Sequence, residues 1–186
     1  GLTSAPIPST NTTGITYYYV SQTNDICEST RSMITVKVNS KPVLGSDQNL
    51  RICYGHSANL LPLYNTIGLT SNWTLNQVAV NNPVNISTAG IYQLVAVNNS
   101  GCIDTAIVTL TIQPPVTANA GLDGNAELNA PYQLQGSGGL QYQWSPAFPL
   151  NNSQFANPIA ILSDDTRFIL KVTDEIGCVD YDTVYI

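Results

Sequence analysis

The chain has 186 residues, and 6 basic against 12 acidic side chains give it a formal net charge of −6 with only 10% charged residues. Ordinary soluble chains carry roughly a quarter charged residues. Here Asn, Thr and Ser, 53 residues together, supply the polar surface instead. So few and so scattered Lys and Arg exclude the basic stripe that nucleic acids require, and the lack of any run of ~18 apolar residues excludes membrane insertion.

One strand–turn–strand pattern occurs three times along the chain and predicts an all-β fold. In each copy an aromatic residue stands ten positions before a cysteine: Tyr17 before Cys27, Tyr92 before Cys102, and Phe168 before Cys178. The cysteines are 75 and 76 residues apart, and alternating apolar residues follow the second and third of them, as in half-buried strands. Because no segment reads as a connecting helix, antiparallel sheets are predicted rather than parallel βαβ units.

Two proline-containing joints, before Pro42 and at Pro114, divide the chain into units 1–41, 42–113 and 114–186. The first unit is expected to be the C-terminal part of a truncated domain, since about 34 residues that precede the equivalent aromatic residue of the second unit have no counterpart in it. Its strand pair would leave an apolar face and open edges in water. We expect it to dock on the second unit, to pair with another chain, or to be completed by residues outside this sequence.

The second and third units each contain about six short strands, which predicts two tandem antiparallel β-sandwiches. Trp73 and Trp144 occupy equivalent positions 71 residues apart, so each is expected to be the central core tryptophan of one sandwich. The predicted core also contains the three repeated aromatic residues, Tyr17, Tyr92 and Phe168.

The four cysteines show no CxxC spacing, and with one histidine in the chain they predict no metal site and no cofactor. Cys53 precedes one strand of the second unit and Cys102 follows another, so a Cys53–Cys102 disulfide is expected. It would close a loop of about 50 residues and be worth roughly 4 kcal/mol. Cys178 would then lack a partner, because Glu127 stands near the place of Cys53 in the third unit, and the partner of Cys27 is expected in the missing upstream part of the first unit. The alternative is four buried free thiols in a reducing compartment.

The segment from Gly90 to Cys102 resembles the G-x-Y-x-x-x-V-x-n-x-x-G-C signature of bacterial immunoglobulin-like and PKD-like repeats. The third unit is similar to repeats of large surface and secreted proteins of gliding Bacteroidetes, and residues 16–29 are similar to another Ig-like repeat of those proteins. The resemblance implies tandem Ig-like/PKD-like β-sandwiches at an extracellular or outer cell-surface location. Thr105 and Thr183 each follow an Asp in a D-T-aliphatic sequence, which is similar to the O-glycosylation acceptor of such proteins.

The other motifs are better explained by structural roles than by catalysis or ligand binding. His56 is the only histidine, and because no G-x-S-x-G nucleophile elbow accompanies it, an exposed turn histidine is expected. The glycine-rich loop 136–139 precedes a strand rather than a helix, which predicts a turn and not a phosphate site. Three carboxylate pairs of the third unit are suited to Ca²⁺, although Asp is also typical of turns: Asp164-Asp165, Asp174-Glu175 and Asp180 with Asp182.

The function predicted from these features is a non-catalytic, extracellular adhesive or spacer stalk of a large bacterial surface or secreted protein, with surface glycans or other proteins as partners. The alternative is a carbohydrate-binding accessory module of a secreted polysaccharide-degrading enzyme. In that case tyrosines outside the repeat pattern, namely Tyr18, Tyr54, Tyr142 and Tyr181, would form a platform on which sugars stack. Catalysis by the chain itself is not expected, because no acid/base constellation is visible.

Overall fold

The computed structural model describes residues 7–186, which contain twelve strands and one short 3-10 helix at Leu61–Leu63. The strands are β1 Gly14–Val20, β2 Ser32–Val38, β3 Gln48–Cys53, β4 Thr70–Leu75, β5 Val78–Ala79, β6 Gly90–Val97, β7 Ile103–Gln113, β8 Pro131–Gln133, β9 Gln141–Ser145, β10 Ile159–Ile161, β11 Arg167–Thr173 and β12 Val179–Tyr185. Within the described range no helix has the length and apolar character needed to span a bilayer.

Spatial contacts divide the chain into two structural units, which differ from the three units predicted from the sequence. From here on, the first and second unit are these structural units unless a unit is called predicted. One comprises the stretch up to Gln48 together with Leu60–Pro83 and Ile91–Val108, and the other comprises Asn49–Asn59, Val84–Gly90 and Thr109–Ile186. This division follows proximity rather than order along the chain. The boundaries predicted at residues 41/42 and 113/114 therefore stay predictions.

In the first unit, β6 shows how the sequence pattern produces a strand with one buried face. Tyr92, Leu94 and Ala96 alternate with more exposed residues and are almost completely buried, as expected for period-two side chains. β6 pairs with β4 so that Leu94 opposes Trp73, which is itself buried. These strands belong to a sheet with the order β3-β7-β6-β4-β5.

The first unit also contains the hairpin of β1 and β2, an antiparallel pair that forms a two-stranded sheet of its own. The assignment of Tyr17 to the core was wrong, because its side chain is 55% exposed. Its repeat counterpart Tyr92 lies on a strand that has β4 as a second neighbour, whereas β1 pairs with β2 alone. The repeated aromatic position is therefore exposed in β1 and buried in β6, because burial also requires other side chains packed over that face of the strand.

The second unit contains a β-sandwich made of one sheet with the order β12-β11-β9 and another that pairs β10 with β8. Both sheets contribute to one core, in which Trp144, Phe168 and Ala160 are all fully buried. The Trp144 indole donates a hydrogen bond to the Phe155 carbonyl at 3.0 Å and meets the Phe168 ring edge-to-face, with centroids 6.4 Å apart. This geometry is favourable for aromatic pairs.

The order of strands in this sandwich is that of the immunoglobulin fold. If β8 to β12 are read as strands B, C, E, F and G, then C, F and G form one sheet, B and E form the other, and the buried tryptophan lies on strand C. The predicted fold class, an all-β protein with antiparallel Ig-like sandwiches, is confirmed. The pairs β1–β2, β4–β5, β4–β6, β8–β10, β9–β11 and β11–β12 are all antiparallel.

Candidate functional site: a disulfide-linked turn and two exposed sheet faces

Among residues 7–186 the structure has one disulfide, and it joins Cys53 to Cys178 rather than to Cys102. The Cα atoms are 5.5 Å apart and the two residues are separated by 125 positions in sequence. The predicted Cys53–Cys102 bond was therefore wrong, and so was the expectation that Cys178 lacks a partner. Cys102 is a half-buried free thiol and Cys27 is an exposed one.

The direction of β3 along β7 explains why Cys53 does not bond to Cys102. The Asp47 carboxylate accepts from the Ile107 amide, and farther along both strands the Thr111 hydroxyl donates to the Leu50 carbonyl. β3 thus advances towards the C-terminal end of β7, whereas Cys102 precedes its first residue. Because a strand rises about 3.3 Å per residue, the two ends of the 11-residue strand β7 are roughly 33 Å apart.

An arginine on β3 reinforces the disulfide. The Arg51 guanidinium donates to the Gln113 side chain at 2.7 Å and forms an ion pair with Glu175, which lies in the same turn as Cys178. Arg51 was not singled out from the sequence, and Glu175 was named there only as one of the paired carboxylates of the third predicted unit. Their signal would have been a basic residue two positions before one cysteine and an acidic residue three positions before its partner, which is too common a pattern to be specific.

The turn between β11 and β12 is organised by a single carboxylate. Asp174 Oδ1 accepts hydrogen bonds from the amides of Ile176 and Cys178, both at 2.9 Å. Gly177 has a φ of 92°, a left-handed conformation that favours glycine. The carboxylate and the glycine together fix the backbone that carries the disulfide.

The same turn recurs between β6 and β7, with an asparagine in place of the aspartate. Asn98 Oδ1 accepts from the amides of Ser100 and Cys102 at 2.9 and 3.0 Å, and Gly101 has a φ of 79°. The two turns therefore share their hydrogen bonds, their glycine and their cysteine position. A polar acceptor four residues before each cysteine was the sequence signal for this motif.

Two residues after Cys102, and again two residues after Cys178, a carboxylate holds the segment that leads into the corresponding predicted unit. Asp104 accepts from the Leu44 amide and from the Lys41 ammonium, both at 2.9 Å. These donors hold the pKa of Asp104 below its usual range, with the Leu44 amide contributing most. Asp180 accepts from the Ala118 amide at 2.8 Å in the equivalent place.

The β1–β2 hairpin presents exposed apolar and aromatic side chains on both of its faces. Tyr19 is 64% exposed, and Ile15, Met33 and Ile34 are exposed as well. Among the described strands, β1 and β2 pair only with each other, so each has one open edge. Apolar side chains beside an open strand edge are typical of surfaces that pair with another chain.

The outward face of the β9-β11-β12 sheet carries a row of side chains with different chemistry. Gln143, Lys171 and Tyr181 lie opposite one another on the three adjacent strands. Tyr181 is 58% exposed, and Gln143 is exposed as well. An aromatic ring beside an amide and an ammonium can stack on a sugar ring and bond its hydroxyl groups.

The other tyrosines considered for a sugar platform do not join this row. Tyr142 opposes Val172 on the neighbouring strand, and its hydroxyl donates to the Gly139 carbonyl at 2.8 Å. Tyr18 lies on the hairpin, and the exposed Tyr54 follows β3. Of the four tyrosines, only Tyr181 therefore lies in the row with Gln143 and Lys171, and the four rings do not form one platform.

The remaining candidate residues occupy ordinary structural positions. His56 is an exposed turn residue whose amide donates to the Cys53 carbonyl at 3.1 Å. Thr105 is exposed and Thr183 is half-buried. Among residues 7–186, no three His, Cys, Asp or Glu side chains lie close enough together to hold a metal ion.

The glycine-rich loop packs against the core of the second unit. A methyl group on Gly136 would lie 2.6 Å from the Ala156 carbonyl oxygen and 2.9 Å from the Trp144 ring, so there is no room for a larger residue. The loop is followed by β9. Its glycines therefore serve close packing.

Comparison with known proteins finds solved structures that share low sequence identity and low TM-scores with this chain. The chain matches no family model and no curated protein sequence. Similar solved structures include immunoglobulin domains 1–4 of Sidekick-1, with 14% identity and a TM-score of 0.32 over 91% of this chain and 56% of that one. Another is the N-terminal Ig1-2 module of the Drosophila receptor protein tyrosine phosphatase DLAR, with 14% identity and a TM-score of 0.28 over 76% of this chain and 94% of that one.

A third similar structure is a Bacteroides ovatus protein, SGBP-B of a mixed-linkage glucan utilization locus, solved with a mixed-linkage heptasaccharide. It shares 15% identity at a TM-score of 0.21, over 92% of this chain and 52% of that one. Likeness at these scores carries no argument about function. The Ig-like assignment rests on the strand order and the buried tryptophan of the second unit.

Proposed function

We propose that the chain is a non-catalytic, extracellular segment of tandem β-sandwiches that acts as an adhesive or spacer stalk of a large bacterial surface or secreted protein. The observation that carries the proposal is the Cys53–Cys178 disulfide, which links the end of β3 to a turn 125 residues later. Structural disulfides persist in oxidising, extracellular compartments and are rare in the cytosol. The repeat and its resemblance to Bacteroidetes surface repeats support the bacterial assignment.

A spacer also benefits from the contacts that surround the disulfide. The exposed Arg51–Glu175 ion pair adds little free energy of folding by itself. Together with the covalent bond, it fixes β3 against the β11–β12 turn at two points, while the Gln113 hydrogen bond holds the same arginine at the end of β7. A cross-link of this kind suits a segment that must keep its shape under load.

For the adhesive role, the β1–β2 hairpin is the candidate surface. Its exposed tyrosines and open strand edges suit pairing with another protein chain. We expect sedimentation equilibrium to show concentration-dependent association of the full chain that is weakened in Tyr17→Asp/Tyr19→Asp. A Leu122→Asp variant, altered at an exposed residue of the other unit, is the control and should associate like the wild type.

The second candidate function is carbohydrate binding, favoured by the row formed by Gln143, Lys171 and Tyr181. An array of plant and bacterial polysaccharides probed with the oxidised full chain separates the two functions. A stalk whose adhesion depends on protein contacts should bind no glycan. Specific binding that is lost in Tyr181→Ala but kept in Tyr54→Ala, an exposed tyrosine outside the row, would replace the stalk proposal by the carbohydrate-binding one.

A further inference from the structure

The outward face of the β9-β11-β12 sheet carries both basic residues of the third predicted unit. That unit contains eight acidic and two basic side chains, a net charge of 2 − 8 = −6, and the basic residues Arg167 and Lys171 both lie on β11. They alternate along the strand with the buried Phe168, Leu170 and Val172, so both side chains lie on the outward face. An acidic unit thus places all of its positive charge on one sheet face.

No carboxylate of the described chain neutralises these two cations. The outward positions of the three strands contain no Asp or Glu, because Asp180 and Asp182 alternate to the opposite side of β12, where they accept backbone amides. Arg167 and Lys171 form no salt bridge with any of residues 7–186. The face therefore offers two unpaired positive charges to a carboxylate from another molecule.

Two tyrosines lie directly beside the cations. Across the β11–β12 pair, Tyr185 opposes Arg167 and Tyr181 opposes Lys171. The two tyrosine side chains are 54% and 58% exposed. Tyr and Arg are enriched at protein–protein interfaces, where they supply much of the binding energy. The face thus combines positive charge with aromatic contact area.

A groove of about 450 Å³ lies beside Lys171, and Gln141, Gln154 and Thr173 are among the residues that line it. Their amide and hydroxyl groups can donate hydrogen bonds to a carboxylate that pairs with the Lys171 ammonium. Of the described residues that line the groove, none is acidic. Its chemistry therefore suits a carboxylate.

The spacing of the two cations selects the shape of the ligand. Four residues along a strand span about 13 Å, and so do four residues of an extended peptide. Strands that pack face to face on a sheet run within about 30° of its own strands. An extended segment lying over β11 would therefore bring carboxylates at its positions i and i+4 to Arg167 and Lys171 together.

We propose that the outward face of β9, β11 and β12 binds an extended acidic segment of a partner protein, whose carboxylates four residues apart pair with Arg167 and Lys171. The inference rests on the adhesive role proposed above and adds a second binding surface, separate from the β1–β2 hairpin. The matching repeat of β11 and an extended peptide favours a protein segment over a polysaccharide. Tyr181 and Tyr185 supply apolar contact to the side chains of the segment.

Titration of the isotope-labelled, oxidised full chain with synthetic peptides tests the proposal, with amide shifts followed by NMR. The first peptide is a Thr-rich ten-residue segment with Glu at its third and seventh positions. In the second peptide the later Glu stands at the sixth position, so the two carboxylates point to opposite faces of a strand. Saturable shifts in β9, β11 and β12 are expected with the first peptide, and binding about fivefold weaker with the second. Equal binding of the two peptides, or no saturable shift on this face, overturns the proposal.

Substitutions test which charges bind the peptide. Lys171→Gln and Arg167→Gln are each expected to weaken binding of the first peptide about fivefold, as for the loss of one ion pair. Lys37→Gln is the matched control, since it removes an exposed positive charge from β2 and should leave binding unchanged. The same spectra show whether each variant is folded. Equal weakening in all three variants means unspecific attraction and contradicts the proposal.

Two further titrations separate this surface from the other proposals. Polygalacturonate at the same carboxylate concentration represents an acidic polysaccharide, and saturable binding on this face that is tighter than that of the first peptide overturns the protein-segment proposal. Tyr17→Asp/Tyr19→Asp should bind the first peptide like the wild type, because the hairpin belongs to the other structural unit. The peptide surface and the association through the hairpin can therefore fail separately.

Discussion

The fully buried side chain of Trp144 shows how much one residue contributes to this fold. Its indole N–H donates to a backbone carbonyl at 3.0 Å, its ring meets Phe168 edge-to-face, and a methyl group on Gly136 would lie only 2.9 Å from the ring. A buried polar group with a hydrogen-bond partner and a fully buried ring are both costly to remove. The stability of the second unit therefore depends strongly on this residue.

Trp144→Ala is expected to lower the free energy of unfolding by about 3–5 kcal/mol, because a large cavity replaces the ring. Urea denaturation followed by circular dichroism measures the change. Phe148→Ala removes an aromatic ring that is 88% exposed and should alter stability by no more than ~0.5 kcal/mol. Equal losses in the two variants would contradict the assigned role of Trp144.

Asp104 predicts a dependence of stability on pH. Its pKa is lower in the folded protein than in the unfolded chain, since the Leu44 amide and the Lys41 ammonium favour the charged form. The stabilisation is therefore present at neutral pH and is lost as the pH falls below about 4 and the carboxylate takes up a proton. The melting temperature of the wild type should fall more between pH 6 and pH 3 than that of Asp104→Asn. An Asp165→Asn control should follow the wild type, and identical acid profiles for all three proteins would contradict the argument.

At the scale of strands and turns, the sequence predicts well which side chains alternate along a strand. It predicts poorly which strands and sheets lie next to one another. Period-two apolar residues were enough to place Tyr92 and Phe168 on buried strand faces, because the alternation is a property of the strand itself. Tyr17 has the same local pattern and is exposed, since burial also requires a covering sheet, which the pattern does not encode. Trp73 and Trp144 could be matched to each other because both lie on strands at equivalent repeat positions.

The disulfide could not be assigned from the sequence for a related reason. Cys53 and Cys102 both flank strands, and spacing alone does not reveal that β3 advances towards the end of β7 that lies away from Cys102. The exposed row on the β9-β11-β12 sheet likewise depends on the cross-strand register of Gln143, Lys171 and Tyr181. Both features arise from contacts between residues that are distant in sequence.

The disulfide is expected to be the largest single contribution to the stability of its unit. In the chain-entropy model, closing a loop across 125 positions stabilises the folded state by about 5 kcal/mol. Cys53→Ser/Cys178→Ser should therefore unfold at a much lower urea concentration than the wild type. Cys27→Ser, which alters an exposed free thiol, should unfold with the wild type, and a loss of equal size there would contradict the assignment.

For the whole molecule, the proposed stalk is a chain of β-sandwich modules with a covalent cross-link, the Cys53–Cys178 disulfide. The low content of Lys and Arg would also protect such a stalk from extracellular proteases that cleave after basic residues. With only 6 basic residues, trypsin-like proteases have few sites, and two of those, Arg167 and Lys171, lie within strand β11. A folded strand does not fit a protease cleft without local unfolding.

The position of the disulfide also determines which part of the backbone is stretched when the two ends of the chain are pulled apart. Tension that enters at Cys53 crosses directly to Cys178 through the sulfur atoms, so the residues between them carry no load even if their sandwich unfolds. At ~3.5 Å per extended residue, about 440 Å of contour length stays hidden until the bond is reduced. Single-molecule pulling should release that length only in the presence of dithiothreitol, and its release from the oxidised chain would contradict the load path.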